Sequence, residues 1–205
     1  MKVLAVLVLV LGLAAPAAAH HVGAYTPRDN EITTNFKQIK FSLQAAKFDV
    51  ALRLFDEGAL RTAMREKAAI LPAGLESGTR AALQAKDAPE VERRLMIFFA
   101  ALSRELAIEA DRQVADSKLS PQARAATGQR FLEAMWRYYN LVDFAVSSRD
   151  NKSSTALRLA FDEAEGYVKT TSASDADKLR VPLRRIAQVL STLIDTSSAL
   201  PRRDS

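Results

Sequence analysis

The sequence predicts an all-α protein: an antiparallel bundle of about five or six helices, up-and-down or built from stacked helical hairpins, preceded by a signal peptide. Three observations predict the bundle. Apolar residues recur three and four positions apart through most of the chain, while the aromatic and β-branched alternation that marks strands is nearly absent. Glycines and prolines fall mostly between the periodic stretches. Asp87-Ala88-Pro89-Glu90 and Ser120-Pro121-Gln122 each join a capping side chain to a proline in the first turn, the mark of a helix start.

The chain opens on a segment of another kind. Lys2 precedes an apolar run from Val3 to Ala15, then come Pro16 and Ala17-Ala18-Ala19. That is the layout of a secretory signal peptide over residues 1–19, cleaved at an A-x-A site between Ala19 and His20. The run is shorter than the roughly 20 residues a spanning helix needs, and no later run reaches that length. With no cysteine there is no lipid attachment site either. The leader is bacterial in style, so a soluble product, periplasmic or secreted, is expected. Residues 20–29 form an irregular lead, residues 30–198 a single all-α domain, and residues 199–205 a polar tail.

Within the domain, a first helix is predicted over 30–45, with Ile32, Phe36, Ile39 and Leu43 buried and Phe41 nearby. A turn at Ala46-Lys47 leads to a second helix over 48–69, bearing Val50, Leu52, Phe55, Leu60, Met64 and Ala68. Gly58 inside it costs about 1 kcal/mol relative to alanine and predicts a bend or a close helix contact. Leu71-Pro72-Ala73-Gly74 breaks the pattern, and a short helix follows over 77–86. The Asp87 start opens a helix reaching about Asp116, with Val91, Leu95, Phe98, Leu102 and Leu106 on one face. The Ser120 start opens another reaching about Ser148. It is apolar nearly all round between Phe131 and Val146, which predicts a central position. A turn at 151–154, a helix over 153–169 and a loop over 170–176 precede the last helix, over 177–198. Pro182 belongs in its first turn, and Leu183, Ile186, Val189, Leu190 and Leu193 form its buried face. The echo between residues 51–58 and 156–163 is attributed to common helix formers rather than to a duplicated hairpin or a helical repeat.

Composition closes several routes to function. A chain without cysteine has no disulfides, thiolate metal sites, c-type haem attachment or thiol nucleophile. Histidine occurs only at positions 20 and 21, so no Ser-His-Asp set and no Glu-x-x-His di-iron pair can form in the domain. Phosphate-binding glycine loops are also missing. The net charge of +5 is spread along helices, and the pairs Arg93-Arg94, Arg184-Arg185 and Arg202-Arg203 have acids close by. No nucleic-acid partner is expected from that pattern.

Three constellations remain. Cleavage after Ala19 leaves His20 as the new N-terminus, where the α-amine and Nδ1 can chelate one metal ion, with His21, Tyr25 or Asp29 completing the set. Amine and imidazole nitrogens suit copper. At this one local feature the terminus resembles copper proteins with an N-terminal histidine brace, though those take a further histidine from a distant part of the chain and are mostly β-sandwiches. The second constellation is Tyr139, Asn140 and Asp143, which one continuous helix would present to a small ligand or join in a buried network through Arg137, Arg104 or Arg158. The third comprises the acids Glu105, Glu109 and Asp111, then Asp162, Glu163 and Glu165, with Glu133 on a neighbouring helix; ordinary ion pairs with Arg104, Arg112 and Arg130 are the expected outcome.

Together these observations predict a non-enzymatic envelope protein that binds a partner protein or small ligand. A metal-binding protein using His20 and His21, and a carboxylate enzyme around Asp143, are the alternatives. N-terminal sequencing of the exported protein is expected to begin at His20. Copper(II) titration is then expected to show tighter binding to that chain than to one carrying an extra N-terminal alanine; equal affinities exclude the chelating terminus.

Overall fold

Asn30 ends an extended approach and starts the first helix through a reciprocal cap: its side chain accepts from the Thr33 amide, and the Thr33 hydroxyl accepts from the Asn30 amide, both at 2.9 Å. The computed structural model describes residues 28–169 and 172–199, and among them the chain is helical with no strand. The signal segment, His20, His21, Tyr25 and the polar tail lie outside the described residues. In chain order the helices are α1 (Glu31–Gln44), α2 (Phe48–Glu57), α3 (Ala59–Glu66), α4 (Leu75–Gln84), α5 (Ala88–Val114), α6 (Pro121–Tyr139), α7 (Asp143–Arg149), α8 (Asn151–Lys169), α9 (Ala173–Lys178) and α10 (Arg180–Ala199). A 3₁₀ turn at Ala68–Ile70 follows α3.

Ten α-helices lie among the described residues, more than the expected five or six; two of the seven helical stretches marked in the sequence are broken and one expected loop is partly helical. Residues 48–69 form α2, α3 and the 3₁₀ turn, with Gly58 in an extended conformation between the two helices. The break is held by buried Asn35 on α1, which donates to the Leu54 carbonyl and accepts from the Leu60 amide, each at 3.0 Å. A Cβ at position 58 would lie 2.3 Å from both the Asn35 oxygen and the Leu54 carbonyl, so only glycine fits beneath this clamp. The expected helix over 121–148 is likewise two. Tightened bonds from Leu141 to the Tyr138 carbonyl and from Val142 to the Tyr139 carbonyl end α6, and α7 starts afresh at Asp143. Ser172 caps α9 inside the expected loop, accepting from the Asp175 amide at 3.1 Å.

Helix starts were more legible. Asp87 and Ser120 accept from the amides of Glu90 and Ala123, with proline in the first turn of α5 and of α6. Gly74, at φ 71°, takes the left-handed conformation ahead of α4, which begins at Leu75 rather than Ser77.

Four long helices close a ring in which α5 packs on α6, α6 on α8, α8 on α10, and α10 on α5. Contact registers give their directions. Ser103 donates to the Met135 carbonyl, and Arg124 to the Val114 carbonyl, so α6 runs back along α5. Arg93 reaches Ser197 at one end of α10 and Asp111 reaches Arg180 at the other, so α10 also opposes α5. Gly128 lies against Val168, and Trp136 against Phe161, which sets α8 antiparallel to α6. The helices α1 to α4 pack together beside this ring, with α4 against α5. Phe36 of α1 meets Phe99 of α5 edge to face at 4.8 Å.

The central helix is α5, not the stretch 131–146. Every residue from Leu95 to Ser103 is buried, whereas from Phe131 to Tyr139 α6 mixes buried and half-buried positions and Asn140 is exposed. The reason is charge. Residues 95–103 carry none, while 131–146 includes Glu133, Arg137 and Asp143, which need water or a partner.

Replacing Asn35 by alanine is expected to destabilise the fold by about 1–3 kcal/mol, because two polar groups at a buried break lose their partner together. Chemical denaturation checks this; a loss no larger than that of an exposed control such as Lys118→Ala contradicts the clamp.

Candidate functional site

Asp143 stands in the first turn of α7 with its side chain mostly buried, and α8 supplies its partners. Its Oδ1 accepts from the Ser154 hydroxyl at 3.2 Å and from Arg158 Nε at 3.3 Å, and its Oδ2 accepts from Arg158 Nη2. Of the three arginines considered from sequence, only Arg158 takes this role. Arg104 bonds Glu105 and the Ile70 carbonyl, and the Nε of Arg137 is buried without a hydrogen-bond partner.

Tyr139, fully buried, lies beside this group and stacks on Phe161 at 5.9 Å. Its hydroxyl has no hydrogen-bond partner of acceptable geometry. Burial above all, reinforced by the Asp143 carboxylate, pushes its pKa well above the usual phenol value. Asn140 does not join them. The break after α6 removes the shared helical face on which the sequence reading placed Asn140 and Asp143, and Asn140 is exposed at the end of α6. Tyr139 and Asp143 are thus brought together, where Asp143 ties α7 to α8 through Ser154 and Arg158.

Most of the remaining candidate acids are engaged by cations or amides. Glu109 is held by Arg112 and then Gln113, which lower its pKa to about 2. At Asp111 burial is the largest single influence and favours the neutral acid, but Arg180 and Arg184 together outweigh it and keep the carboxyl below its ordinary range. Glu105 pairs with Arg104, Glu163 with Arg185, Glu165 with Lys169, and Glu133 accepts from Gln129. Arg130 bonds Thr127 instead of an acid. Among the described residues no group of three or more acids or histidines is placed to hold a metal ion. Asp29, a candidate ligand beside the terminal histidines, is held by Lys37 at 2.7 and 2.8 Å, which lowers its pKa.

A groove between α1, α5 and α7 went unseen in the sequence. It encloses about 290 Å³. Phe36 and Leu43 of α1 form one wall, Leu95 of α5 the floor, and Leu141, Val142 and Ala145 the other wall. Lys40, Gln44, Glu92, Ser148 and Arg149 ring its mouth. Phe144 stands at the lip, 80% exposed, and Phe41, on the row beside Gln44, is 71% exposed. The available signal was Phe41, which falls outside the 32-36-39-43 stripe of its helix. Asp143 is the neighbour of Phe144, so the clamp to α8 sets where α7 holds that ring.

Compared with protein-family models, with curated proteins and with solved structures, the chain matches none. Among the described residues no helix is long and apolar enough to cross a membrane.

Because the Tyr139 hydroxyl is buried beside Ser154 and Asp143 without a well-formed hydrogen bond to either, Tyr139→Phe is expected to cost no more than about 1 kcal/mol of stability at neutral pH. Folding raises this pKa, so the phenol's contribution is present below the ordinary value near pH 10 and is lost as pH rises above it. The phenylalanine variant is therefore expected to gain on the parent above about pH 10. Denaturation across pH 7–11 measures both effects, and a larger loss at neutral pH contradicts the assignment.

Proposed function

We propose that the protein is an exported component of the bacterial envelope that works by binding a partner in the groove between α1, α5 and α7. The observation that carries the reading is the fixed exposure of Phe144. Two neighbours in sequence, Val142 and Val146, are buried, and Asp143 is tied to Ser154 and Arg158, so α7 holds the phenyl ring outward at the lip of an apolar concavity. An exposed ring beside an apolar concavity with a few polar groups at its mouth is the form that binding sites take. The side walls add Leu43, Leu141 and Ala145 to the same patch, and the charged mouth offers orientation.

Asp143 acts here as a positioning residue. Both of its oxygens are already engaged, which supports a part in fixing α7 over a part in proton transfer. Export rests on the leader, residues 1–19, and accounts for the absence of cysteine only in that no disulfide is needed to close this core.

A photo-reactive amino acid at position 144 is expected to give one defined adduct in living cells, in the envelope fraction. The same probe at exposed Lys118, in the loop joining the far end of α5 to α6, is expected to give none. Identical adduct patterns at the two positions, or a protein retained in the cytosol with residues 1–19 attached, contradict the proposal.

A further inference from the structure

We infer that the occupant of the groove is an amphipathic helix of a partner protein carrying carboxylates beside its apolar face. The inference rests on the groove reading and adds the chemistry of the partner. The trough lies between two helices, α1 and α7, over the floor residue Leu95, an arrangement in which a third helix seats its apolar stripe. Exposure at the rim argues against a small amphiphile. A molecule confined to about 290 Å³ meets only the inner edge of Phe144, whose ring lines the groove yet is 80% exposed, whereas a helix seated over the mouth covers it.

Charge at the mouth selects the partner's sign. Lys40 rises from one wall and Arg149 from the other, against the single acid Glu92. Nearby basic groups are already satisfied: Lys37 by Asp29, and Arg93 and Arg94 by Glu90. Lys40 has only the Phe36 ring at 6.0 Å, and Arg149 only a long bond to the Pro89 carbonyl at 3.4 Å. Their charges are therefore free to meet carboxylates arriving on both flanks of the incoming helix, which steers and orients the encounter. The described residues of a second copy do not offer such a surface. Among them the other exposed large apolar residues, Ile108, Leu119, Leu159 and Val181, stand singly on different elements.

Three synthetic helical peptides test this, sharing one leucine and phenylalanine face and carrying glutamate, glutamine or lysine beside it. Fluorescence anisotropy is expected to rank them glutamate, glutamine, lysine, with about a ten-fold span from first to last at low ionic strength that narrows as salt is added. The double variant K40E/R149E, its fold checked by circular dichroism, is expected to reverse the order. F144A is expected to weaken all three at least about five-fold. Equal binding of the three peptides, or an order that survives K40E/R149E, overturns the charge assignment and leaves the groove reading standing. No peptide binding while cross-links at 144 persist overturns the helical occupant alone; loss of both overturns the groove reading too. Self-association abolished by F144A, or dodecanoate bound in place of the peptides, also overturns the inference.

Discussion

Nine consecutive residues of α5, Leu95 to Ser103, are buried on all sides, and the remainder of the fold is arranged to cover them. A helix presents two and a half turns over that length, so no single neighbour can shield it. The helices α6 and α10 flank it in the four-helix ring, while α4 and Phe36 of α1 close over its first half. Arg94 and Arg104 mark the limits of the buried stretch, and each turns away to polar partners: Glu90 and the Gly74 carbonyl for one, Glu105 and the Ile70 carbonyl for the other. The groove is the place where this cover stays incomplete. Leu95, first of the nine, forms its floor between residues of α1 and α7.

Arginine outnumbers lysine in this chain, and the contacts explain the preference. Several guanidiniums serve a carboxylate and a helix-end carbonyl together, which an ammonium group does with poorer geometry. Arg93 joins Glu90 to the Ser197 carbonyl of α10. Arg124, itself buried, joins Asp177 to the Val114 carbonyl at the end of α5. Exposed ion pairs add little to stability, but satisfying an orphaned carbonyl at a packed helix end avoids a desolvation penalty. Part of the basic charge is thus spent inside the fold, while Lys40 and Arg149 at the groove are among the cations that form no ion pair.

Helix class and helix starts were legible in the sequence because they depend on neighbours in the chain. Asp87, Ser120 and the 3- and 4-residue spacing of Val91, Leu95, Phe98 and Leu102 each act within one or two turns. A bend or close contact at Gly58 was legible from the glycine itself, but its partner was not, and the break at Asn140 was not legible at all, since its cause lies elsewhere. Asn35 on α1 supplies the groups that make the first break tolerable, and Ser154 with Arg158 on α8 draws Asp143 out of the line of α6. The same distinction governs the site. Tyr139 and Asp143 were found because a carboxylate and a phenol among apolar neighbours need explaining. Asn140 was misplaced by the assumption of a continuous helix. No local pattern announces a groove assembled from residues 36–44, 92–95 and 141–149.

Native-state hydrogen exchange tests most directly whether α5 unites the helices around it in one core. The amides of residues 95–103 are predicted to exchange only through global unfolding, with a free energy equal to that from denaturant titration and a full dependence on denaturant. Sub-global exchange of that stretch, with α1 to α4 opening as a separate unit while α6, α8 and α10 stay protected, would contradict the account.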